Sequence, residues 1–121
     1  MNILICDDER EIVDALELYL KNEGYAVFKA YSGKEALEIV SENTIHLILM
    51  DIMMPVMDGY EAACAIRRSV KADVGSAPIF AMTANAFAED AQRAYDAGMN
   101  GHLTKPIDME KVKQALATAR R

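Results

Sequence analysis

The sequence predicts an α/β fold, a doubly wound, five-stranded parallel sheet with helices on both faces. Short apolar runs alternate five times with longer stretches of helical periodicity. The runs are nearly continuous rather than alternating in polarity, as in strands covered on both faces. In such a sheet every strand's carboxyl end lies on one edge, where ligands bind.

The first strand is read at Ile3–Cys6, followed by Ile12, Leu16, Tyr19 and Leu20 at helical spacing. A second strand at Ala26–Lys29 precedes Ala36, Leu37 and Val40. The third, Leu47–Met50, leads to a helix over Gly59–Val70 with Ala63 and Ile66 facing inward. Ser69–Ala77 loses periodicity and reads as a surface loop. The fourth strand, Ile79–Met82, precedes Phe87, Ala91, Ala94 and Tyr95. The fifth, His102–Thr104, precedes Val112, Ala115, Leu116 and Ala119. Helix starts are signalled by Asp8-x-x-Glu11, Ser32-x-x-Glu35 and Asp58-x-x-Glu61, each a capping side chain three residues before a glutamate. Gly24 and Gly98 stand where helices end in a left-handed residue.

Composition narrows the function classes. With 121 residues, positions 1–121 are read as one domain, and 52% hydrophobic residues suffice for a core. No apolar run is long enough to cross a bilayer, and the N-terminus lacks a signal peptide's basic flank and cleavage site. Cys6 and Cys64 are too few for a disulfide framework or zinc site, so reduced thiols in the cytoplasm are expected. A net charge of −6 argues against nucleic acid binding. The Arg67-Arg68 and Arg120-Arg121 pairs read as solvated helix ends.

The residues just beyond the strands are more informative. The first strand ends at Asp7-Asp8, the third at Asp51, the fourth at Thr83 and the fifth at Lys105; the second, ending near Ala30-Tyr31, offers no reactive group. If the first and third strands are neighbours, roughly 5 Å apart, three carboxylates share one pocket. Lys105 supplies one positive charge. An oxygen-seeking divalent cation accounts for the remainder, with Mg²⁺ the natural candidate. Asp51 as nucleophile, with Lys105 and Thr83 as donors to transferring oxygens, suits phosphoryl transfer. Singly, Asp8 could be a cap, Asp51 a turn, Thr83 a helix start and Lys105 a surface lysine. Four strand ends delivering complementary chemistry to one edge favour the functional reading.

At Ile3–Glu9, Leu49–Gly59, Pro78–Ala84 and Leu103–Pro106 the sequence resembles the receiver domain of response regulators, across essentially the whole chain. The resemblance implies strand order 2-1-3-4-5, phosphorylation of Asp51, and Mg²⁺ (or Mn²⁺) ligated by Asp8, Asp51 and the Met53 carbonyl, with Asp7 acting through water. Thr83 and Lys105 would bind phosphoryl oxygens, small Ala84 would keep the site open, and the Lys105-Pro106 bond would be cis. Asp58-Gly59 would open the third helix. It also implies a histidine kinase or histidine phosphotransfer domain as donor, a downstream output protein or domain, and no nucleic acid or membrane contact by this domain. The location would be cytoplasmic, alone or as part of a membrane-bound kinase, and catalysis would be limited to the domain's own phosphorylation and dephosphorylation. Phosphorylation would remodel the face formed by the fourth helix, fifth strand and fifth helix. The fifth-strand position where the family carries Tyr or Phe is His102, either a modified switch or an ordinary edge-strand histidine. Met53 and Asn85 occupy positions that tune dephosphorylation; Met53, with no polar group to orient water, predicts slow loss of phosphate.

The first third resembles receivers of transcriptional regulators, and Pro78–Asp108 those of hybrid histidine kinases. Specificity for the donor is expected on the first helix, among Ile12, Val13, Ala15 and Leu16. Rival readings are weaker. A flavin-binding domain would need a hydroxyl- and glycine-rich loop where Asp7-Asp8-Glu9 stands. A haloacid-dehalogenase-like phosphatase would place its aspartates two apart on the first strand. A degenerate receiver acting as a phosphorylation-independent interaction module would normally lack one of these acids.

Overall fold

The computed structural model describes residues 1–54, 56–68, 77–83 and 88–119. Strands β1 (Asn2–Cys6), β2 (Ala26–Ala30), β3 (Leu47–Asp51), β4 (Ile79–Thr83) and β5 (Gly101–Thr104) form one parallel sheet in the order β2-β1-β3-β4-β5. Around it lie α1 (Arg10–Asn22), α2 (Gly33–Glu42), α3 (Gly59–Arg67), α4 (Ala88–Asp96) and α5 (Met109–Ala119). Fold class and strand order agree with expectation. Each strand is one residue longer than its apolar run. Asp51 and Thr83 are therefore the last residues of β3 and β4, not the first beyond them, because ladder pairing continues past the hydrophobic residues.

Alternate strand residues feed two cores. On one face Ile3, Ile5, Leu47, Leu49, Met82 and Leu103 pack with Val13, Leu16 and Leu20 of α1 and Val112 and Leu116 of α5. On the other, Leu4, Ile48, Met50, Ile79 and Ala81 pack with α2 through Ala36 and Val40, and with α3 through Ala62, Ala63 and Ile66. Each face removes enough apolar surface from water to hold its helices against it.

Helix ends follow their signals unevenly. Asp58 and Glu61 form the full reciprocal capping box. Ser32 caps Glu35 N, whereas the Glu35 carboxylate reaches back to Tyr31 N, one residue earlier than expected. Asp8 caps nothing: the N-cap of α1 is Glu9, without a side-chain bond. Its neighbour Asp7 turns inward and accepts from Glu9 N at 2.9 Å, so the helix starts one residue later. Gly24 and Gly98 adopt φ of 91° and 94°.

Two surface expectations fail. Arg67 is not a solvated helix end; it is half-buried and hydrogen-bonded to three groups beyond its helix, while Arg68 is exposed. Tyr95, assigned to an inner helical stripe, is 75% exposed, because Ala94 and Ala97 face the core. Arg120, Arg121 and Phe87 lie outside the described residues, as do 69–76 of the expected loop. Cys6 and Cys64 are free. Among the described residues no helix is long and apolar enough to cross a membrane.

Candidate functional site

Register brings the site together. Cys6 pairs with Met50, so Asp7 emerges at the level of Asp51. Asp51 pairs with Met82, and Thr83 with Thr104, which puts Lys105 next in line. The Lys105 N–H donates to Thr83 O at 2.7 Å, extending the ladder by one bond. The Lys105–Pro106 peptide bond is cis.

Asp7 is fully buried, Asp51 and Thr83 are nearly so, and Asp8 is exposed. One carboxylate oxygen each from Asp7, Asp8 and Asp51 lies within 4.8 Å of the others. Lys105 Nζ stands 3.0 Å from Asp7 Oδ2, 3.4 Å from Asp51 Oδ1 and 3.5 Å from Glu9 Oε1. Three carboxylates thus share one ammonium, with Asp8 beside them. The reach of Glu9 toward Lys105 follows from the turn at the start of α1, which periodicity does not reveal.

The electrostatics are those of an under-neutralised cluster. Burial pushes the Asp51 carboxyl up to about 6; the Met53 N–H works against the rise, the Asp7 charge adds to it, and Lys105 opposes it. Burial alone would lower the Lys105 ammonium, but contact with Asp7 and the charges of Asp51, Asp7 and Glu9 outweigh it and raise it. Burial, with the neighbouring carboxylates, pushes the Cys6 thiol far up, so it stays protonated. Its Sγ donates to Ser32 O at 3.3 Å and approaches Met54 Sδ at 3.6 Å, a packing role.

Asp51 is asymmetric. Met53 N donates to Oδ1 at 3.1 Å and Lys105 to the same oxygen at 3.4 Å. Oδ2 carries no hydrogen bond among the described residues. The Met53 side chain is 75% exposed, and Val56, a β-branched residue at φ 68°, sits in the loop beyond it. That conformation is strained for valine by about 1–3 kcal/mol, and nothing in the residue type announces it. Ala84 and Asn85 lie outside the described residues. His102 is exposed on β5.

A divalent cation fits these residues. Asp7 Oδ2 is buried, and among the described residues it accepts no aligned hydrogen bond. The ammonium 3.0 Å away is shared with Asp51 and Glu9, so the cluster keeps excess negative charge that a cation would offset. The donor set is all oxygen, which suits Mg²⁺.

Behind Asp51 the backbone is packed without slack. A Cβ on Gly59 would lie 2.4 Å from Asp51 O and 2.7 Å from Ile52 Cα. Gly59 N donates to Ile52 O at 3.3 Å. The glycine that opens the helix is thus required by close approach, and it fixes α3 against the residue at the centre of the site.

Comparison with known proteins agrees with this arrangement. The response regulator receiver domain matches residues 3–117. The regulatory protein VanR of Enterococcus faecium is 40% identical over 98% of the chain, and the sensor histidine kinase RcsC of Salmonella typhi 38% over 97%. The chain spans 50% of VanR's length and 12% of RcsC's. Among solved structures, chemotaxis protein CheY4 of Vibrio cholerae superposes with a TM-score of 0.90 at 30% identity, covering 98% of this chain and 97% of that one. The receiver domain of sensor histidine kinase PA1611 from Pseudomonas aeruginosa, solved with magnesium coordinated in its active site cleft, gives 0.83 at 33%, covering 93% and 91%. The receiver of Saccharomyces cerevisiae Ssk1, solved with the histidine phosphotransfer protein Ypd1, gives 0.84 at 31%, covering 93% and 83%. The chain belongs to the response regulator receiver family, the receiver domains of two-component phosphorelay systems.

Proposed function

We propose that Asp51 accepts a phosphoryl group from a phosphohistidine on a histidine kinase or histidine phosphotransfer domain, in a Mg²⁺-dependent reaction. The observation that carries this reading is the gathering of Asp7, Asp8 and Asp51, two of them paired with Lys105, with Asp51 Oδ2 uncommitted among the described residues. Oδ2 attacks phosphorus as the P–N bond breaks; the electron pair stays on that ring nitrogen, and the donor's imidazole, whose other nitrogen already carries a proton, leaves neutral. No general base is needed, because the attacking carboxylate is already ionised at neutral pH. Lys105 and Thr83 donate to the phosphoryl oxygens, and Met53 N holds Oδ1, which orients Oδ2. Asp8, Asp51 and the Met53 carbonyl would hold Mg²⁺, or Mn²⁺ in its place, with Asp7 acting through water; the ion supplies positive charge for the transferring oxygens. The PA1611 receiver's magnesium supports this assignment.

A cavity of about 260 Å³ beside Lys105 suits the donor. Ile12, Ala15, Leu16, Pro106, Ile107 and Met109 line it with apolar surface. Of the expected contact residues on α1, Ile12 and Ala15 are accessible, whereas Val13 and Leu16 serve the core. The Ssk1–Ypd1 complex supports a histidine phosphotransfer domain as the occupant. With such partners, the domain is read as cytoplasmic, alone or as part of a kinase. The output face is α4, β5 and α5, where exposed His102 serves as a contact for a downstream protein or domain. Met53 predicts a long-lived phosphoryl group.

Acetyl phosphate, a donor that needs no cognate kinase, tests the reading. Intact mass should show one phosphoryl group gained with Mg²⁺ and none with EDTA. Lys105→Met should slow incorporation by about 10²-fold. Equal incorporation in EDTA contradicts the metal-dependent reading, and no incorporation under any condition favours an interaction module.

A further inference from the structure

Apolar surfaces approach the carboxyl edge of the sheet from both of its faces. α1 and α5 pack on one face, and the cavity lined by Ile12, Ala15, Pro106 and Ile107 lies on that side, beside Lys105. α3 packs on the other face, and the loop that joins β3 to α3 carries Met53, Met54, Val56 and Met57. This loop is closed at its base, where Gly59 N donates to Ile52 O at 3.3 Å and Met53 N to Asp51 Oδ1 at 3.1 Å.

These four side chains divide into two pairs. Met54 is buried, with Sδ 3.6 Å from Cys6 Sγ. Met57 lies against the start of α2, where a Cβ on Gly33 would stand 2.9 Å from Met57 Cγ and Sδ. This inward pair holds the loop to the fold. Met53 is mostly exposed and Val56 fully so, at φ 68°. An exposed valine gains no burial, and a β-branched side chain is disfavoured in a left-handed backbone. Fold stability alone would favour glycine or asparagine at position 56. Strain of this kind gathers at ligand contacts, where the contact offsets its cost.

We propose that Val56, together with Met53 of the same loop, is a docking contact for the phosphohistidine-bearing donor, on the opposite side of Asp51 from the cavity on α1. This assignment rests on the reading of Asp51 as phosphoacceptor. A donor whose phosphohistidine reaches Asp51 lies over the carboxyl edge of the sheet, so it meets both apolar surfaces at once. Asp8, Glu9 and Glu11 are exposed on the same edge, which suits a partner whose apolar patch is rimmed by basic residues. The inward anchors Met54 and Met57 hold the loop in place before the donor arrives, so little ordering is lost on docking. A small phosphoryl donor reaches Asp51 without touching Val56.

The test sets a protein donor, phosphorylated Ypd1, against a small one, acetyl phosphate, both with Mg²⁺ and the full chain. Val56→Asn supplies a residue that tolerates the left-handed backbone and removes the apolar contact. It should raise the urea midpoint, lower kcat/KM for phospho-Ypd1 about tenfold through KM, and leave acetyl phosphate uptake unchanged. Val56→Leu, which stays apolar, should keep transfer from phospho-Ypd1 close to the parent's. A merely structural Val56 would change stability and leave the two donors in the parent's ratio. A urea midpoint that does not rise, equal losses with both donors, or unchanged transfer in Val56→Asn overturns the docking contact alone. So does a parent that takes phosphate from acetyl phosphate but not from phospho-Ypd1. A parent that takes phosphate from neither overturns the phosphoacceptor reading and the contact with it.

Discussion

Asp51→Asn is expected to raise the stability of the metal-free protein at neutral pH by about 2–3 kcal/mol, although it removes a charged partner of Lys105. The carboxyl titrates near 6 in the fold against 3.8 in the reference state, about 1.4 kcal/mol per pH unit of difference. Between those two values the folded protein holds a proton that the unfolded chain has lost. Stability contributed by this group therefore falls as pH rises from about 4 to 6 and stays low above. Asparagine removes the fall. Its side-chain carbonyl can still accept from Met53 N, and Lys105 keeps Asp7 at 3.0 Å, so no charge is stranded. Urea denaturation in EDTA, at pH values on either side of the window, should show the gap between variant and parent opening as pH rises. Added Mg²⁺ should stabilise the parent and have little effect on the variant. A variant less stable than the parent at neutral pH contradicts this account of the carboxylate cluster.

Gly59→Ala should cost about 2–3 kcal/mol, the upper part of the range for forcing atoms into packed space. The new methyl would meet Asp51 O and Ile52 Cα, backbone atoms at the end of central strand β3 and just beyond it, which cannot rotate aside. Relief requires α3 or the end of β3 to shift, so phosphoryl uptake should fall as well. Gly24→Ala is the control. It adopts φ 91° with nothing within 4 Å of its absent Cβ, so only the left-handed backbone opposes the substitution, at about 1 kcal/mol. Equilibrium unfolding of the two variants separates the mechanisms. Equal losses would mean that α3 does not press on the backbone of Asp51.

The strands were legible because Ile3–Cys6, Leu47–Met50 and Ile79–Met82 are buried on both faces, and full burial writes an unbroken apolar run. The meeting of Asp7, Asp51, Thr83 and Lys105 was legible for a related reason: parallel strands place all their carboxyl ends on one edge, and the register does the rest. Asp8 was misread as a cap because capping and cluster chemistry favour the same residue type, and only the inward turn of Asp7 decides between them. Tyr95 shows the limit of periodicity, since one-residue neighbours Ala94 and Tyr95 both fit a helical stripe while only the smaller faces the core. Arg67 and Arg93 lay further out of reach. Their partners Gly98, Ala77, Asp58 and Tyr60 belong to other elements, and lateral placement of helices is set by packing rather than by any repeat in the chain.

Borohydride reduction of the protein after exposure to acetyl phosphate and Mg²⁺ is the most direct test of the central claim. An aspartyl phosphate is reduced to homoserine, which marks its position in a peptide mass map. The position of Asp51 at the end of β3, with Asp7, Asp8 and Lys105 beside it and Oδ2 uncommitted among the described residues, predicts homoserine at position 51 and nowhere else. Homoserine at position 7 or 8, or an unmodified residue 51 in a protein that has gained phosphate, would contradict it.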